Sequence, residues 1–250
     1  MIKLDNTEVT GWEHAIRGMR NPMNSWDRSD SEYCDMINRC TECHAFNSKR
    51  SYCEYTEYAN TTSYYYGRNY ILGPNDRKLA LSLAKSGSVH AKYRRMIVVY
   101  VDITAPLYWW KEFDTYKVGT VANSCSTMHK IAEKEFTLDD FSHEYLRVAS
   151  LQCLKYTIEA LNAEREAYIG KALPGLKDDK QCWYNMIQLL PTSYNQKRTV
   201  MLNYEVLAGL YPMRKDHKLD EWHLFCDWVR NLPYSDLIIG EEKADAKIDQ

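Results

Sequence analysis

The sequence lacks the features that would place the protein in a membrane or draw it to a polyanion. No apolar run approaches the roughly 20 residues that a membrane-spanning helix requires. The formal net charge is only -2, so no general attraction to nucleic acid or to an anionic membrane is expected. The first residues, MIKLDN, have no apolar core of the kind that a signal peptide needs. These absences predict a cytoplasmic protein.

What is present is the composition of a soluble globular protein. The residues are 45% hydrophobic and 26% charged, and a chain of 250 residues is long enough to form one sizeable core. We expect a single domain over residues 1–240, with an insertion near residues 30–72 and a disordered tail over residues 241–250. The 20 tyrosines suit stacking against a flat heterocycle, although tyrosine also packs ordinary cores.

The insertion contains four of the eight cysteines, namely Cys34, Cys40, Cys43 and Cys53. The run CTECH fits a haem-attachment pattern, but that chemistry needs an export signal, which the sequence does not show. A zinc site built from the four thiolates is the alternative. Because only Cys40 and Cys43 form a close pair, we predict reduced structural thiols without a metal.

Apolar spacing predicts a chain that mixes helices and strands. Strands are expected over residues 96–101 and 195–203. Thr137 is expected to cap a short turn, and Asn203 is expected to cap a helix that runs toward Arg214. Further helices are predicted over residues 7–20, 74–87, 107–113, 141–172, 181–190 and 217–230.

Residues 90–129 contain the most informative pattern in the chain. The β-branched run at residues 96–101 is typical of a buried strand, and Ala105-Pro106 ends it because proline has no N–H to donate. An aromatic helix over residues 107–113 then leads into a turn rich in hydroxyl and amide groups. A strand, a helix and a polar turn in this order suit a phosphate or nucleotide site. A buried helix with a capped end would explain the same composition.

The same residues resemble the core of the flavin-dependent thymidylate synthases. In that family, a His-containing strand start leads through an Ala-Pro step to the signature Gln-x-x-Arg-His-Arg-x-x-Ser-x-Asn-x-x-Ser-x-Arg. Reading without gaps from His90, Ala105-Pro106 falls on the Ala-Pro step and Glu112 falls on the Gln. Thr115, Tyr116 and Lys117 fall on the Arg-His-Arg. The spacing therefore matches, while most of the letters differ.

A second stretch supports the resemblance. The family has Leu-Pro, a basic residue six positions after the Pro, an Asn twelve after it, and an Arg eleven after that Asn. Leu190-Pro191 is followed here by Lys197, Asn203 and Arg214 at those spacings. The two stretches together cover about a third of the chain.

The resemblance implies a fold, a reaction and a set of ligands. The fold would be α+β, with an antiparallel sheet packed against long helices. The reaction would make thymidylate, or a related 5-substituted pyrimidine nucleotide, from deoxyuridylate and methylenetetrahydrofolate, with FAD reduced by NADPH. The protein would be a homotetramer, and we expect the Trp109-Trp110 helix to offer aromatic surface for its interfaces.

The resemblance also implies roles for individual residues. The residues expected to bind the cofactor are His90, Tyr116, Lys117, Asn123 and Asn203, with Asn21 and Ser25 as weaker candidates. The residues expected to bind substrate are Glu112, Thr115, Ser126, Lys197 and Arg214. Ser126 takes the place of the nucleotide-binding serine with a one-residue gap, and Cys125 takes it without the gap.

Departures from the family pattern leave three functions open. Thr115 and Met128 stand where arginines belong, and Glu112 stands where a neutral Gln would face the nucleotide. The loss of two cations and the gain of a carboxylate should weaken phosphate binding. The chain is therefore interpreted as an active synthase, as a diverged flavin or nucleotide binder of the same fold, or as a cofactor-free interaction protein.

Overall fold

The computed structural model describes residues 1–34, 69–170 and 179–240. Within those ranges the strands are β1 (Lys3–Thr10), β2 (Glu32–Cys34), β3 (Asn69–Ile71), β4 (Val98–Pro106), β5 (Val121–Ser124) and β6 (Asn195–Asn203). The helices are α1 (Trp12–Arg20), α2 (Pro74–Lys85), α3 (Leu107–Phe113), α4 (Thr127–Lys130), α5 (Val148–Tyr168), α6 (Asp179–Leu189), α7 (Tyr204–Arg214), α8 (Asp220–Arg230) and α9 (Asp236–Ile239). Among the described residues, no helix is both long and apolar enough to cross a membrane.

The strands form an antiparallel sheet in the order β1-β4-β6-β5, and β2 pairs with β3 in a separate two-stranded ribbon. Burial alternates along β4, since Val99, Val101 and Ile103 are buried while Tyr100 is exposed. Successive strand residues point to opposite faces, so one face of the sheet is packed and the other is open. The predicted α+β class is confirmed.

The chain divides into two compact units, each assembled from several segments. Unit 1 comprises Met1–Asp5, Val101–Lys117 and Val121–Val200, and unit 2 comprises Asn6–Tyr100, Val118–Thr120 and Met201–Gln250. The core of unit 1 includes the buried rings of Trp109, Trp110 and Phe141. In unit 2, the Trp12 ring packs edge-on against Tyr204 at 5.4 Å and Tyr234 at 5.2 Å.

The predicted helix over residues 7–20 is wrong in its first part, because residues up to Thr10 belong to β1. The helix begins at Trp12, after Gly11, which adopts φ +90°. A side chain at Gly11 would place its Cβ 2.1 Å from the carbonyl oxygen of Met96. Only glycine permits this turn, so the chain changes from strand to helix there.

The sequence predicted that His90 begins a strand, and this prediction is wrong. His90 lies in an exposed turn after α2, where its backbone N–H donates to the Gly87 carbonyl at 3.0 Å. A short 3-10 segment, Lys92–Met96, then precedes β4. The helix predicted over residues 141–172 is likewise shorter than expected, since it begins at Val148 and ends at Tyr168.

Other predictions are confirmed closely. Strand β6 covers residues 195–203 as expected, and α3 covers residues 107–113 directly after Pro106. Thr137 and Asp140 form a reciprocal capping box before α5. The cysteines Cys40, Cys43 and Cys53 lie outside the described residues, as do residues 241–250, so the metal-free lobe and the disordered tail stay predictions. The single-domain organisation also stays a prediction.

A buried ion pair in unit 2 joins α1 to α2. Arg20 Nε donates to Asp76 Oδ1 at 2.6 Å, and the Asp76 side chain has no exposed surface. The second carboxylate oxygen accepts hydrogen bonds from the hydroxyls of Ser29 and Ser31 at 2.7 and 2.6 Å. Burial alone would raise the pKa of Asp76, but the hydrogen bonds from Ser31 and Ser29 and the Arg20 guanidinium lower it overall.

We predict that Asp76→Asn will reduce the free energy of unfolding by about 3–5 kcal/mol, because it leaves the Arg20 charge buried without compensation. The folded-state pKa is lowered, so the carboxylate stabilises the fold fully above its unfolded pKa of about 3.9. That contribution is lost as the pH falls through the folded pKa. Urea denaturation between pH 3 and pH 7 measures the difference.

Asp139→Asn serves as the matched control, because Asp139 is exposed. It should change the free energy of unfolding by less than about 0.5 kcal/mol. An Asp76→Asn protein as stable as the control at pH 7 would contradict the predicted role of the ion pair.

Candidate functional site

The C-terminal end of α3 and the turn after it hold four of the sequence-predicted site residues in unit 1. Buried Trp110 fixes the helix, because its indole Nε1 donates to the Gln196 carbonyl at 2.9 Å. The Thr115 hydroxyl donates to the Glu112 carbonyl at 2.7 Å, which closes the end of the helix. Thr115 and Lys117 are exposed, whereas Glu112 and Tyr116 are partly buried. Thr115, Tyr116 and Lys117 therefore share one turn, and Glu112 lies just before it at the end of α3.

Lys197 lies on the open face of the sheet. Its Nζ contacts Asp102 Oδ2 at 2.9 Å, and the Thr199 hydroxyl donates to Asp102 Oδ1 at 2.6 Å. The hydrogen bond with Asp102 raises the pKa of Lys197, so the ammonium stays protonated. The predicted substrate cation therefore already has a carboxylate partner, although it is 47% exposed.

The neighbouring Arg198 points to the packed face. Its guanidinium carbon lies 4.1 Å from the centroid of the Trp110 ring, within the range of a cation–π contact. Nε donates to Gln196 Oε1 at 3.0 Å, and Nη1 donates to Asp114 Oδ1 at 2.7 Å. Arg198 is therefore tied to the turn that carries Thr115.

The edge strand β5 and the loop after it bring two further candidates beside β6. Asn123 is exposed on β5. The Cys125 N–H donates to the Lys197 carbonyl, and Gln196 Nε2 donates to the Cys125 carbonyl, both at 3.0 Å. The Ser126 hydroxyl accepts a hydrogen bond from the His129 N–H at 3.1 Å and so caps α4. The hydroxyl proton of Ser126 can still be donated to a ligand.

In unit 2, Asn203 performs the predicted cap. Its Oδ1 accepts a hydrogen bond from the Val206 N–H at 3.0 Å at the start of α7. The loop of residues 118–120 lies against this cap, since a Cβ on Gly119 would lie 3.2 Å from Asn203 Nδ2. In the same loop, the Thr120 hydroxyl is buried and has no hydrogen-bond partner among the described residues. Because Oδ1 of the Asn203 side chain already accepts the hydrogen bond of the cap, Nδ2 is the atom suited to donate to a ligand.

The other candidate residues of unit 2 lie on elements different from the one that carries Asn203. His90 is exposed in its turn. Arg214 lies in the last turn of α7, with its guanidinium carbon 4.5 Å from the centroid of the Trp222 ring. Asn21 accepts a hydrogen bond from Trp26 Nε1 at 2.7 Å, and the Ser25 carbonyl accepts one from Arg20 at 3.1 Å. Both weaker candidates thus support their own loop.

The sequence interpretation missed Arg198, Gln196 and Asp114 as members of the candidate site. The available signal was the alternation along β6, because a side chain next to Lys197 must face the opposite way. That face is the one on which the aromatic α3 packs. No group of three or more His, Cys, Asp or Glu residues that could hold a metal ion occurs in the described ranges.

The fold is that of the flavin-dependent thymidylate synthases. The chain resembles two crystal structures of thymidylate synthase X (ThyX) from Helicobacter pylori, both described as complexes with FAD and dUMP. Each match has a TM-score of 0.57 and 14% sequence identity, and it covers 96% of this chain and 98% of the other. No family model matches the sequence, and no curated protein matches it. The predicted fold is therefore confirmed at the level of structure.

We predict that two variants will separate the capping role of Asn203 from the implied flavin contact. Asn203→Ala should lower the free energy of unfolding by about 0.5–2 kcal/mol, because the cap is lost. Asn203→Asp should keep the stability, because aspartate caps equally well, but it removes the Nδ2 donor. Thermal unfolding and FAD titration of both variants make the comparison.

If the flavin contact exists, Asn203→Asp should bind FAD at least about tenfold more weakly than wild type. Equal FAD affinity in wild type and Asn203→Asp would leave the cap as the only role of this residue.

Proposed function

We propose that the protein is an FAD-dependent methyltransferase that converts deoxyuridylate, or a related pyrimidine nucleotide, to its 5-methyl product. The observation that carries the proposal is the likeness over nearly the whole chain to ThyX bound to FAD and dUMP. The signature spacing supports it, because Thr115, Tyr116 and Lys117 lie in the turn after α3, and Asn123 lies on β5, which pairs with β6. Methylenetetrahydrofolate would supply the one-carbon unit, and NADPH would reduce the flavin.

The residues around Asn203 fit a flavin. A heterocycle bound there would receive a hydrogen bond from Asn203 Nδ2 and could satisfy the buried Thr120 hydroxyl. His90, Tyr116, Lys117 and Asn123 are the other proposed cofactor residues, and three of these four are exposed and so available to a ligand. When bound and reduced by NADPH, FAD would supply the hydride, so the protein would mainly have to position ligands and stabilise charge.

The proposed substrate residues are Glu112, Thr115, Ser126, Lys197 and Arg214. A nucleotide phosphate is a dianion, so cations and hydroxyl donors are the groups that bind it best. Ser126 offers its hydroxyl proton, and Arg214 offers a guanidinium that lies over the Trp222 ring, with its carbon 4.5 Å from the ring centroid. The proposal assigns Arg214 to the pyrimidine nucleotide on the strength of the resemblance.

A second function is favoured by the state of Lys197. Because Asp102 contacts the ammonium at 2.9 Å, part of its charge is already compensated. Thr115 and Met128 supply no cation at the signature positions. A diverged protein that binds flavin or nucleotide without synthase activity is therefore the alternative.

We also propose a homotetramer, but with an interface on a different surface from the Trp109-Trp110 helix that the sequence suggested. Trp109 and Trp110 are buried within the single chain, so the expectation that they cover an interface is wrong. Exposed apolar side chains instead cluster in sequence at the start of α5. They include Val148, which is 87% exposed, and Tyr145, which is 76% exposed. Such a surface suits contact with another copy.

We predict that purified protein incubated with FAD will show a bound flavin spectrum and will methylate deoxyuridylate in the presence of NADPH and methylenetetrahydrofolate. Product formation is measured by chromatography of the nucleotide. Flavin binding with no product, even at millimolar deoxyuridylate, would support the diverged binder instead. A protein that shows no flavin spectrum after incubation with excess FAD would contradict both functions.

We predict that light scattering will give about four times the chain mass of 29.4 kDa at micromolar concentration. Val148→Lys should weaken this assembly, because it places a charge on the exposed apolar surface. Val89→Lys is the matched control, since Val89 is exposed in a turn of unit 2. A wild-type monomer, or equal assembly of both variants, would argue against this interface.

A further inference from the structure

Arg198 presents a guanidinium whose position is fixed on several sides. The centroid of the Trp110 ring lies 4.1 Å from its central carbon, Gln196 accepts from Nε, and Asp114 accepts from Nη1. Arginine loses much rotamer freedom when it binds a ligand, and a guanidinium that is already held has less to lose. Arg198 therefore has the preorganisation that an anion-binding residue needs.

One nitrogen of this guanidinium remains available. Nε and Nη1 are engaged, and no described residue accepts a hydrogen bond from Nη2. The Arg198 side chain keeps 15% of its surface exposed, and its nitrogens are absent from the buried atoms that lack a partner. Nη2 can thus donate to a group that arrives from solvent.

Arg198 lies next to the turn that lacks the first arginine of the family signature. Asp114 directly precedes Thr115, and Thr115 stands where the resemblance expects the first arginine of the signature. The pair between Arg198 and Asp114 brings a guanidinium from β6 to this turn. A cation absent from the turn by sequence is therefore present there by tertiary structure.

We propose that Arg198 is an anion-binding residue that replaces the cation missing at Thr115, and that Nη2 donates to a phosphate oxygen of the bound ligand. This inference rests on the proposed function, because it takes the phosphate to be that of a nucleotide or of FAD. Arginine suits the role through its planar donors and its weak hydration.

Asp114 has two opposing effects in this arrangement. Its carboxylate orients the guanidinium, and its negative charge also repels an incoming phosphate. Asp114 is 49% exposed, so water screens this repulsion only in part. Asparagine at position 114 keeps an acceptor oxygen for Nη1 but carries no charge, so Asp114→Asn isolates the repulsive effect.

The test compares phosphate-bearing ligands with their phosphate-free counterparts by isothermal titration. Arg198→Met should weaken binding of the phosphate-bearing ligand by about 10- to 100-fold. Binding of the counterpart should change by less than about twofold. The pair dUMP and deoxyuridine tests a nucleotide phosphate, and the pair FAD and riboflavin tests the flavin pyrophosphate. Lys155→Met, which removes an exposed charge on α5, is the control for net charge.

Asp114→Asn tests whether the Asp114 charge opposes binding of the phosphate-bearing ligand. It should tighten binding of the same phosphate ligand about three- to tenfold, because the competing carboxylate is gone. Asp139→Asn, at an exposed position elsewhere in unit 1, should leave the affinity unchanged. Weaker binding by Asp114→Asn, or equal losses of phosphate and phosphate-free ligands in Arg198→Met, would overturn the inference.

The two proposals fail in distinguishable ways. If wild type binds dUMP or FAD and Arg198→Met binds the same ligand equally well, the assignment of Arg198 is wrong, while the ligand binding that the proposed function requires is supported. If wild type binds neither ligand, the proposed function falls. Inorganic pyrophosphate then tests Arg198 alone by thermal shift. A shift that is smaller in Arg198→Met than in Lys155→Met supports the assignment, and equal shifts overturn it.

Discussion

The candidate site depends on the two-residue repeat of a β-strand. Because Lys197 and Arg198 are neighbours on β6, they must project to opposite faces of the sheet. Lys197 meets Asp102 on the open face, and Arg198 meets Trp110 on the packed face. One step along the chain thus decides which cation stays solvated and which becomes part of the framework around α3. A shift of one residue in β6 would exchange these environments.

Burial of Trp110 extends this constraint to the rest of unit 1. Its indole donates to the Gln196 backbone, and its ring supports Arg198, so α3 is fixed against β6 at two points. Gln196 then reaches the Cys125 carbonyl, while Arg198 reaches Asp114. The turn after α3 and the loop before α4 are therefore held by adjacent residues of one strand. Both segments carry residues implicated by the resemblance.

The sequence predicted those elements whose pattern is local. Strand β6, helix α3 and the capping box of Thr137 depend on nearby residues, and each was found where expected. Strand β1 was missed because Val9 and Trp12 share the spacing of the helix that follows. The close approach of Gly11 to Met96, which fixes that boundary, is a tertiary contact that periodicity does not show.

Most of the contacts between different elements of the candidate site are long-range. Arg198 and Asp114 are 84 residues apart, and Lys197 and Asp102 lie on different strands. The resemblance identified Lys197 by spacing, but spacing carries no information about the carboxylate that pairs with it. Likewise, the count of tryptophans in α3 did not show whether those rings pack inside the chain or against another copy. The structure shows that they pack inside.

These pairings change the meaning of the missing signature arginines. A cation in water attracts phosphate at long range, whereas a cation paired with a carboxylate acts mainly at contact distance. Lys197 and Arg198 are each paired, and Arg214 rests on an aromatic ring. Selection of a ligand would then depend on how well its oxygens fit the remaining donors, rather than on the total positive charge. An oriented guanidinium discriminates between ligand shapes better than a flexible ammonium does. Under the proposed function, the chain would therefore recognise its ligand through oriented donors more than through its total positive charge.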